Sequence, residues 1–382
     1  MRCDPLPDEL LSSWLVRLAW LNAEKLHTFR RRFWPYPSSP WGLNIDLGLS
    51  EDVLRRIAEM SLRTTESLSG HLLNKYSGIL FDGAGLASAV HGVLVRRHHG
   101  TNVLGYGIQV CPECMLEGTE PYFRCCWKVP YLVVCGRHRR LLLDACPNCG
   151  RQITYHLADF GRSLLPEQVP TSFCASCRLP WGAACETPQV ELDADFREWQ
   201  VQLRGALDTG WLTGAMAEPL YALSFFNGLR MLIRLVAAND EHGTRLREQA
   251  STDLGLLPLG VRHQRNASLF SGLRLGDRLY LLRFVHWLLQ SWPERFLRAA
   301  QAAGLRISYV DPYRRSAPIP YWLSSVLDLT RDYRHARISE GERESVRRFL
   351  EQHGRPATIN AINRWLGRWY VLRNKVDWTK WD

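Results

Sequence analysis

The sequence predicts a mostly α-helical, multidomain protein folded around a small cysteine-rich middle. Three observations predict it. Apolar residues recur at helical spacing through the first hundred residues and again beyond Leu192. Between Cys111 and Cys177, seven cysteines and one histidine fall into four tight pairs. The chain has 382 residues, 46% of them hydrophobic, which is enough for two or three cores.

Residues 1–108 read as an N-terminal helix-turn-helix domain. Leu10, Leu11, Trp14, Leu15, Leu18 and Ala19 mark one face of a helix opened by Pro7-Asp8-Glu9. Asp8 is suited to cap that helix and Glu9 to sit at its positive end. Pro35 to Pro40 is a loop. Ser50 can cap a helix over 51–60, and Thr64 or Thr65 a second over 66–73. Two short helices joined by a tight turn fit a helix-turn-helix, or an ordinary helical hairpin. Leu62 stands about where the former usually has a glycine.

Residues 109–188 read as a tandem zinc-finger or zinc-ribbon module. The pairs are Cys111-x-x-Cys114, Cys135-x-x-His138, Cys146-x-x-Cys149 and Cys174-x-x-Cys177. Eight ligands complete two four-coordinate sites with no vacant position, the arrangement of structural rather than catalytic zinc. The expected cofactors are therefore two structural Zn2+ ions. Sequential wiring groups the first two pairs and the last two, with loops of 20 and 24 residues, as in zinc ribbons. Cross-braced wiring would join the first pair to the third. Trp127, Val129 and Tyr131 to Val134 predict a strand or buried run leading into the second pair, while His156 reads as an ordinary surface histidine.

Residues 189–382 read as a C-terminal helical domain, with apolar periodicity over 225–236 and 279–292 and breaks near 254–260 and 311–320. A charged amphipathic helix is expected from Glu340 to His353, ended by Gly354-Arg355-Pro356, and Thr358 can cap another running to Gly367. This second helix-turn-helix-like segment gathers Arg355, Arg364, Arg368, Arg373 and Lys375. These are candidate nucleic-acid contacts, with a solvated basic tail as the plainer reading. Trp14, Trp127, Trp181, Trp287 and Trp322 sit among apolar neighbours and are expected in cores.

The formal charge is +10, and only five of the basic residues are lysine. Arginine suits phosphate and base edges, although a GC-rich genome gives the same excess. Net positive charge points to a polyanionic partner such as DNA. The C-x-x-C spacing and the absence of an apolar leader indicate a reducing, cytoplasmic setting. No run of 18 apolar residues occurs, so no membrane span is expected. There is no P-loop, no Gly-x-Ser-x-Gly elbow and no His-Glu-x-x-His helix, hence no candidate catalytic residue.

The run Glu9-Leu10-Leu11-Ser12-Ser13-Trp14-Leu15-Val16-Arg17-Leu18-Ala19 looks like the opening signature of the TniQ family, which includes the TnsD target selectors of transposons. Cys111 and Cys114, then Tyr122, Arg124, Trp127 and Pro130, then Cys135, His138, Leu141, Cys146 and Cys149 resemble that family's zinc-finger block. The resemblance covers about Pro5 to Cys177. It implies a non-catalytic adaptor in the bacterial cytoplasm, nucleoid-associated when active. Such an adaptor selects target DNA directly or through an RNA-guided Cascade complex with its guide RNA, as in CRISPR-associated transposons, often as a homodimer. It recruits a AAA+ ATPase regulator of the TnsC/TniB type, which engages the transposase. The other reading is a zinc-containing, sequence-specific DNA-binding regulator with no transposition partner.

Overall fold

The computed structural model describes residues 3–36, 45–83, 92–94, 97–99, 102–104, 106–118, 120–187, 190–256, 270–305, 319–330 and 339–365. It is mostly helical. The described strands form only two antiparallel pairs, β1 (Arg97–His99) with β2 (Asn102–Leu104), and β3 (Trp211–Leu212) with β4 (Leu220–Tyr221). Among the described residues, no helix is long and apolar enough to cross a membrane. The chain divides into two compact units, Met1–Arg295 and Phe296–Asp382.

In the first unit, α1 (Leu11–Leu21) is buried on nearly every side, from Leu11 to Ala19. Asp8 does not cap it. The N-cap position is Leu10, with no side-chain cap, and Asp8 adopts a left-handed backbone (φ 59°). Its carboxylate lies 2.6 Å from Lys75 and 3.3 Å from Arg204. The first amides of α1 find distant acceptors instead: Leu11 N–H donates to the His71 carbonyl and Ser12 N–H to Asp46 Oδ1, each at 2.9 Å. A helix start buried in the protein needs such partners, because water cannot reach its unpaired donors.

The next helices follow at α2 (Leu26–Phe29) and α3 (Glu51–Ser61). Leu62 takes the left-handed conformation (φ 55°) that a glycine adopts without steric cost, and its side chain points into solvent. Thr64 then caps α4 (Thr65–Ser69), accepting from Ser67 N–H at 3.2 Å. α4 is a single turn. It stops before the expected Leu73, which opens a separate 3-10 turn and donates its N–H to Asp46 O at 2.7 Å.

The cysteine-rich module contains α5 (Pro112–Leu116), and the rest is short 3-10 turns and isolated bridges. The run 127–134 is buried throughout, but it is no strand: a 3-10 turn covers Cys125–Lys128 and only Val134 makes a bridge, to Leu141. The helices α6 (Ala194–Thr209), α7 (Ala222–Ala237), α8 (Glu241–Leu254) and α9 (Leu275–Leu289) follow, the last three packing on one another. Phe225, Phe226, Leu229 and Leu232 on α7 and Leu281, Leu282 and Val285 on α9 are almost wholly buried, as their periodicity predicts. Trp14, Trp127, Trp181, Trp287 and Trp322 are all buried.

In the second unit, α10 (Glu294–Ala302) begins at the boundary and α11 (Tyr321–Asp328) buries Trp322 and Leu323. α12 (Glu340–Gln352) starts with a capping box: Ser339 Oγ accepts from Glu342 N–H, and the Glu342 carboxylate accepts from Ser339 N–H. Gly354 (φ 63°) turns the chain, and Thr358 Oγ1 caps α13 (Ile359–Trp365) by accepting from Ala361 N–H at 3.2 Å. Leu350 and Ile362 meet between these two helices, with Val346, Ala357 and Ala361 around them.

Candidate metal centres

Three of the four ligand pairs sit in the same kind of backbone turn. Cys135 N–H donates to the Arg140 carbonyl at 2.8 Å, and Arg139 N–H donates to the Cys135 carbonyl at 2.8 Å. Cys146 with Arg151 and Gly150, and Cys174 with Leu179 and Arg178, repeat both bonds at 2.8–2.9 Å. The fifth residue of each turn is left-handed: Arg139 (φ 53°), Gly150 (φ 68°) and Arg178 (φ 68°). Bridges Val134–Leu141, Ala145–Gln152 and Phe173–Pro180 close the three hairpins. The turn aims the amides of the following residues at the first sulfur. Cys135 receives them from Arg137 and His138, Cys146 from Asn148 and Cys149, and Cys174 from Ser176 and Cys177. Such N–H···S bonds stabilise thiolate, the form that binds metal. The Cys111 pair differs: Cys111 precedes Pro112, which opens α5, and Cys114 lies in its first turn.

The turns bring the ligands together in sequential order. Cys111, Cys114, Cys135 and His138 form one cluster, and Cys146, Cys149, Cys174 and Cys177 the other; within each, all ligand atoms lie within 4.8 Å of one another. In the first cluster His138 presents Nδ1, at 3.4 Å from Cys111 Sγ, 3.3 Å from Cys114 Sγ and 3.6 Å from Cys135 Sγ. Cys114 and Cys135 Sγ are 3.6 Å apart. In the second, Cys146–Cys177 and Cys149–Cys174 are 3.5 and 3.8 Å apart. A metal–sulfur bond of about 2.3 Å in a regular tetrahedron requires sulfur–sulfur edges of about 3.8 Å. Both clusters therefore fit a four-coordinate ion, with all four positions filled by protein, and could hold metal ions.

The proton chemistry of the thiols agrees with a shared site. Hydrogen bonds from Cys111 and Cys114 hold the Cys135 thiol far below its ordinary range, while the same sharing drives Cys111 upward. Burial opposes ionisation of Cys177, but the Leu179 amide and the neighbouring thiols outweigh it and bring that group down to about 6. His138 Nε2 lies 2.7 Å from Glu117 Oε1, and Arg137 pairs with the same carboxylate at 3.0 Å. A carboxylate on the far nitrogen fixes the ring and its tautomer, leaving Nδ1 to face the cluster. Nothing in the spacing singled out Glu117, since it lies outside every pair. His156 takes no part in either cluster.

Two buried polar networks hold the module in place. Glu9 is fully buried and accepts from Leu6 N–H and Ser13 Oγ–H, each at 2.9 Å, with Arg17 at 3.4 Å. Burial raises its carboxyl to about 7, despite the Arg17 charge. Arg17 pairs also with Glu120 at 2.6 Å, and Ser13 Oγ accepts from Phe123 N–H at 3.0 Å. Ser12 Oγ donates to Asp46 Oδ2 at 2.8 Å and lies 2.5 Å from the Tyr155 hydroxyl. The conspicuous polar residues of the opening run thus clamp α1 to the module. From the other side, Arg278 on α9, fully buried, donates to Gln109 Oε1 and the Pro130 carbonyl at 3.1 Å each and lies 3.5 Å from Asp144. Gln200 on α6 accepts from Val133 N–H at 2.8 Å and donates to the Tyr131 carbonyl at 3.1 Å.

The TniQ family model matches residues 1–142. The chain is similar to the TniQ family over that stretch. The match takes in the clamp of Glu9, Ser12, Ser13 and Arg17 and all four ligands of the first cluster. The match supports a transposition-associated target-selection protein. Comparison with the curated proteins gives no match.

Of the candidate nucleic-acid contacts, Arg355 is exposed just before α13 and Arg364 is exposed on it. They belong to the hairpin built on Leu350 and Ile362. Arg368, Arg373 and Lys375 lie outside the described residues.

Proposed function

We propose that this chain is a non-catalytic target-site selection adaptor of a transposon. It links target DNA, reached directly or through an RNA-guided Cascade complex, to a AAA+ ATPase regulator and its transposase. The TniQ match over residues 1–142 carries this reading. The closed clusters support it: a site with all four positions taken by thiolate and imidazole has no place for activated water, so it serves structure and not hydrolysis.

The metal proposed for both clusters is zinc. One donor set is three thiolates with an imidazole and the other is four thiolates. At tetrahedral edge lengths, both suit a soft-tolerant d10 ion better than a hard, oxygen-seeking one. Zinc there would tie together a segment that has little helix and few strands of its own, between the clamps of α1 and α9. Arg355 and Arg364, with Arg368, Arg373 and Lys375, are proposed to touch DNA phosphates.

The test is a pull-down with a AAA+ ATPase regulator of the TnsC/TniB type, with and without target DNA and Cascade, together with metal analysis. Capture of the ATPase and two zinc ions per chain are expected. Binding to a specific DNA site with no ATPase capture under any condition would replace the adaptor by a plain DNA-binding regulator.

A further inference from the structure

The hairpin of α12 and α13 carries three aromatic rings that phosphate contact leaves unused. Phe349 touches both of the others: the His353 ring centroid lies 4.2 Å from it, with the planes 33° apart, and that of Trp365 lies 4.5 Å from it, at 57°. His353 Nδ1–H donates to the Phe349 carbonyl at 2.8 Å, which fixes the imidazole beside the last turn of α12. The rings stand apart from the buried contact between the helices, which is Leu350 against Ile362. Trp365 is 48% exposed, His353 is exposed and Phe349 half-buried. Arg355 and Arg364 are exposed on the same hairpin and pair with no carboxylate among the described residues. Arg347 and Arg348, by contrast, are taken up by Glu344 and Glu351.

We propose that Trp365, with Phe349 and His353, forms a stacking platform for unpaired bases, so that this hairpin takes single-stranded nucleic acid in preference to duplex. The proposal rests on the reading that Arg355 and Arg364 touch phosphates, and it names the kind of strand those phosphates belong to. Exposed arginines alone serve a duplex and a single strand equally. Exposed rings do not. A duplex hides its base faces in its own stack, whereas a single strand offers them to any aromatic side chain. An indole half in water beside two unpaired guanidinium groups therefore has a use on a single strand that it lacks on a duplex. An apolar protein partner would also cover Trp365, but it would leave both arginines without an acceptor, while a polyanion satisfies them.

The experiment titrates the full-length, metal-loaded protein with a short oligothymidylate, an abasic strand of the same length and the matching duplex, followed by fluorescence anisotropy at fixed salt. The abasic strand keeps the phosphates and removes the bases. The oligothymidylate should bind about 10-fold tighter than the abasic strand, the gain expected from stacking one base or two. Trp365→Leu keeps an apolar side chain against Phe349 and should weaken the oligothymidylate by roughly 5- to 50-fold, while Trp365→Phe should cost little. Neither variant should change binding of the abasic strand by more than ~2-fold, since no phosphate contact is touched. If Trp365→Leu loses helix by circular dichroism, the abasic comparison on the parent chain decides. An oligouridylate in place of the oligothymidylate distinguishes RNA from DNA as the source of the strand. Equal affinity for the oligothymidylate and the abasic strand, or tighter binding of the duplex, would overturn the platform. In that case a salt slope that still flattens in Arg355→Ala with Arg364→Ala would keep the phosphate contacts. Binding of none of these nucleic acids would overturn both.

Discussion

Replacing Arg278 by methionine should destabilise the first unit by several kcal/mol, on the order of 3–5. The side chain is completely buried on α9, and burial lowers its pKa to about 10, so it stays charged at neutral pH. Methionine has nearly the same length, so little volume is lost. What is lost is polar: Gln109 Oε1 and the Pro130 carbonyl become buried acceptors short of a donor, at about 1 kcal/mol each. Asp144, whose pKa burial already raises, loses its opposing charge 3.5 Å away and keeps the Leu275 amide and its own. The sum is about 3–5 kcal/mol, the usual cost of breaking a buried pair from one side. With a urea m-value of about 3 kcal/mol/M for a unit of this size, the midpoint should fall by roughly 1–1.7 M. The assay is urea unfolding of metal-loaded protein, followed by tryptophan fluorescence. Adding Asp144→Asn to Arg278→Met should restore about 1 kcal/mol or more, since the buried charge left behind is removed. A midpoint shift below ~0.3 M, or no coupling between the two substitutions, would refute the claim that this pair pins α9 to the cysteine module.

Glu117→Gln should weaken metal affinity of the first cluster by about 10–100-fold and leave the second unchanged, as read by competition with a chromogenic chelator; equal loss at both clusters would contradict the assigned role. His286 is depressed by burial to about 4 from 6.5, so its folded form resists protonation. Stability linked to it is complete above pH 6.5 and is lost as pH falls through 4, by up to ~3 kcal/mol. His286→Leu should therefore flatten the pH dependence of the urea midpoint between pH 6.5 and 4 relative to the parent chain, and parallel curves would be incompatible with the assignment. Arg355→Ala with Arg364→Ala should make the slope of log K against log salt for DNA binding shallower by about 2, and an unchanged slope would show that neither side chain touches phosphate.

The cysteine and histidine pairs were legible in the sequence because a metal site needs donors within a few ångströms, and C-x-x-C turns deliver them locally. The long helices α7 and α9 were legible for a similar reason, since their apolar periodicity is a local property. The second hairpin could also be read, because Ser339, Gly354 and Thr358 carry its start and stop signals within a few residues. The polar clamp was visible only as a pattern. Glu9, Ser12, Ser13 and Arg17 act through Asp46, Phe123 and Tyr155, far along the chain, and no local rule names such partners. Asp8 looked like a helix cap for the same reason: its real partners, Lys75 and Arg204, are distant. The buried run 127–134 resembled a strand by composition, yet its amides and carbonyls are met by scattered partners, among them the Gln109, Gln200 and Arg278 side chains and the Leu94 amide, and only its end, at Val133 and Val134, pairs with an adjoining hairpin arm. Arg278 was hidden among many arginines, and the left-handed turns at Arg139 and Arg178 lack the glycine that announces such a position.

The sequential order of the clusters governs how the module can assemble. The first set of donors spans 27 positions from Cys111 to His138, and the second spans 31 from Cys146 to Cys177, with no interleaving. Each loop closes on its own, at the modest entropic cost of a short ring. During synthesis the first four donors emerge before any of the last four, so one ion can be captured while the other coordination shell does not yet exist. Two independent clasps, fastened one after the other, would also let one ion be stripped while its neighbour stayed in place.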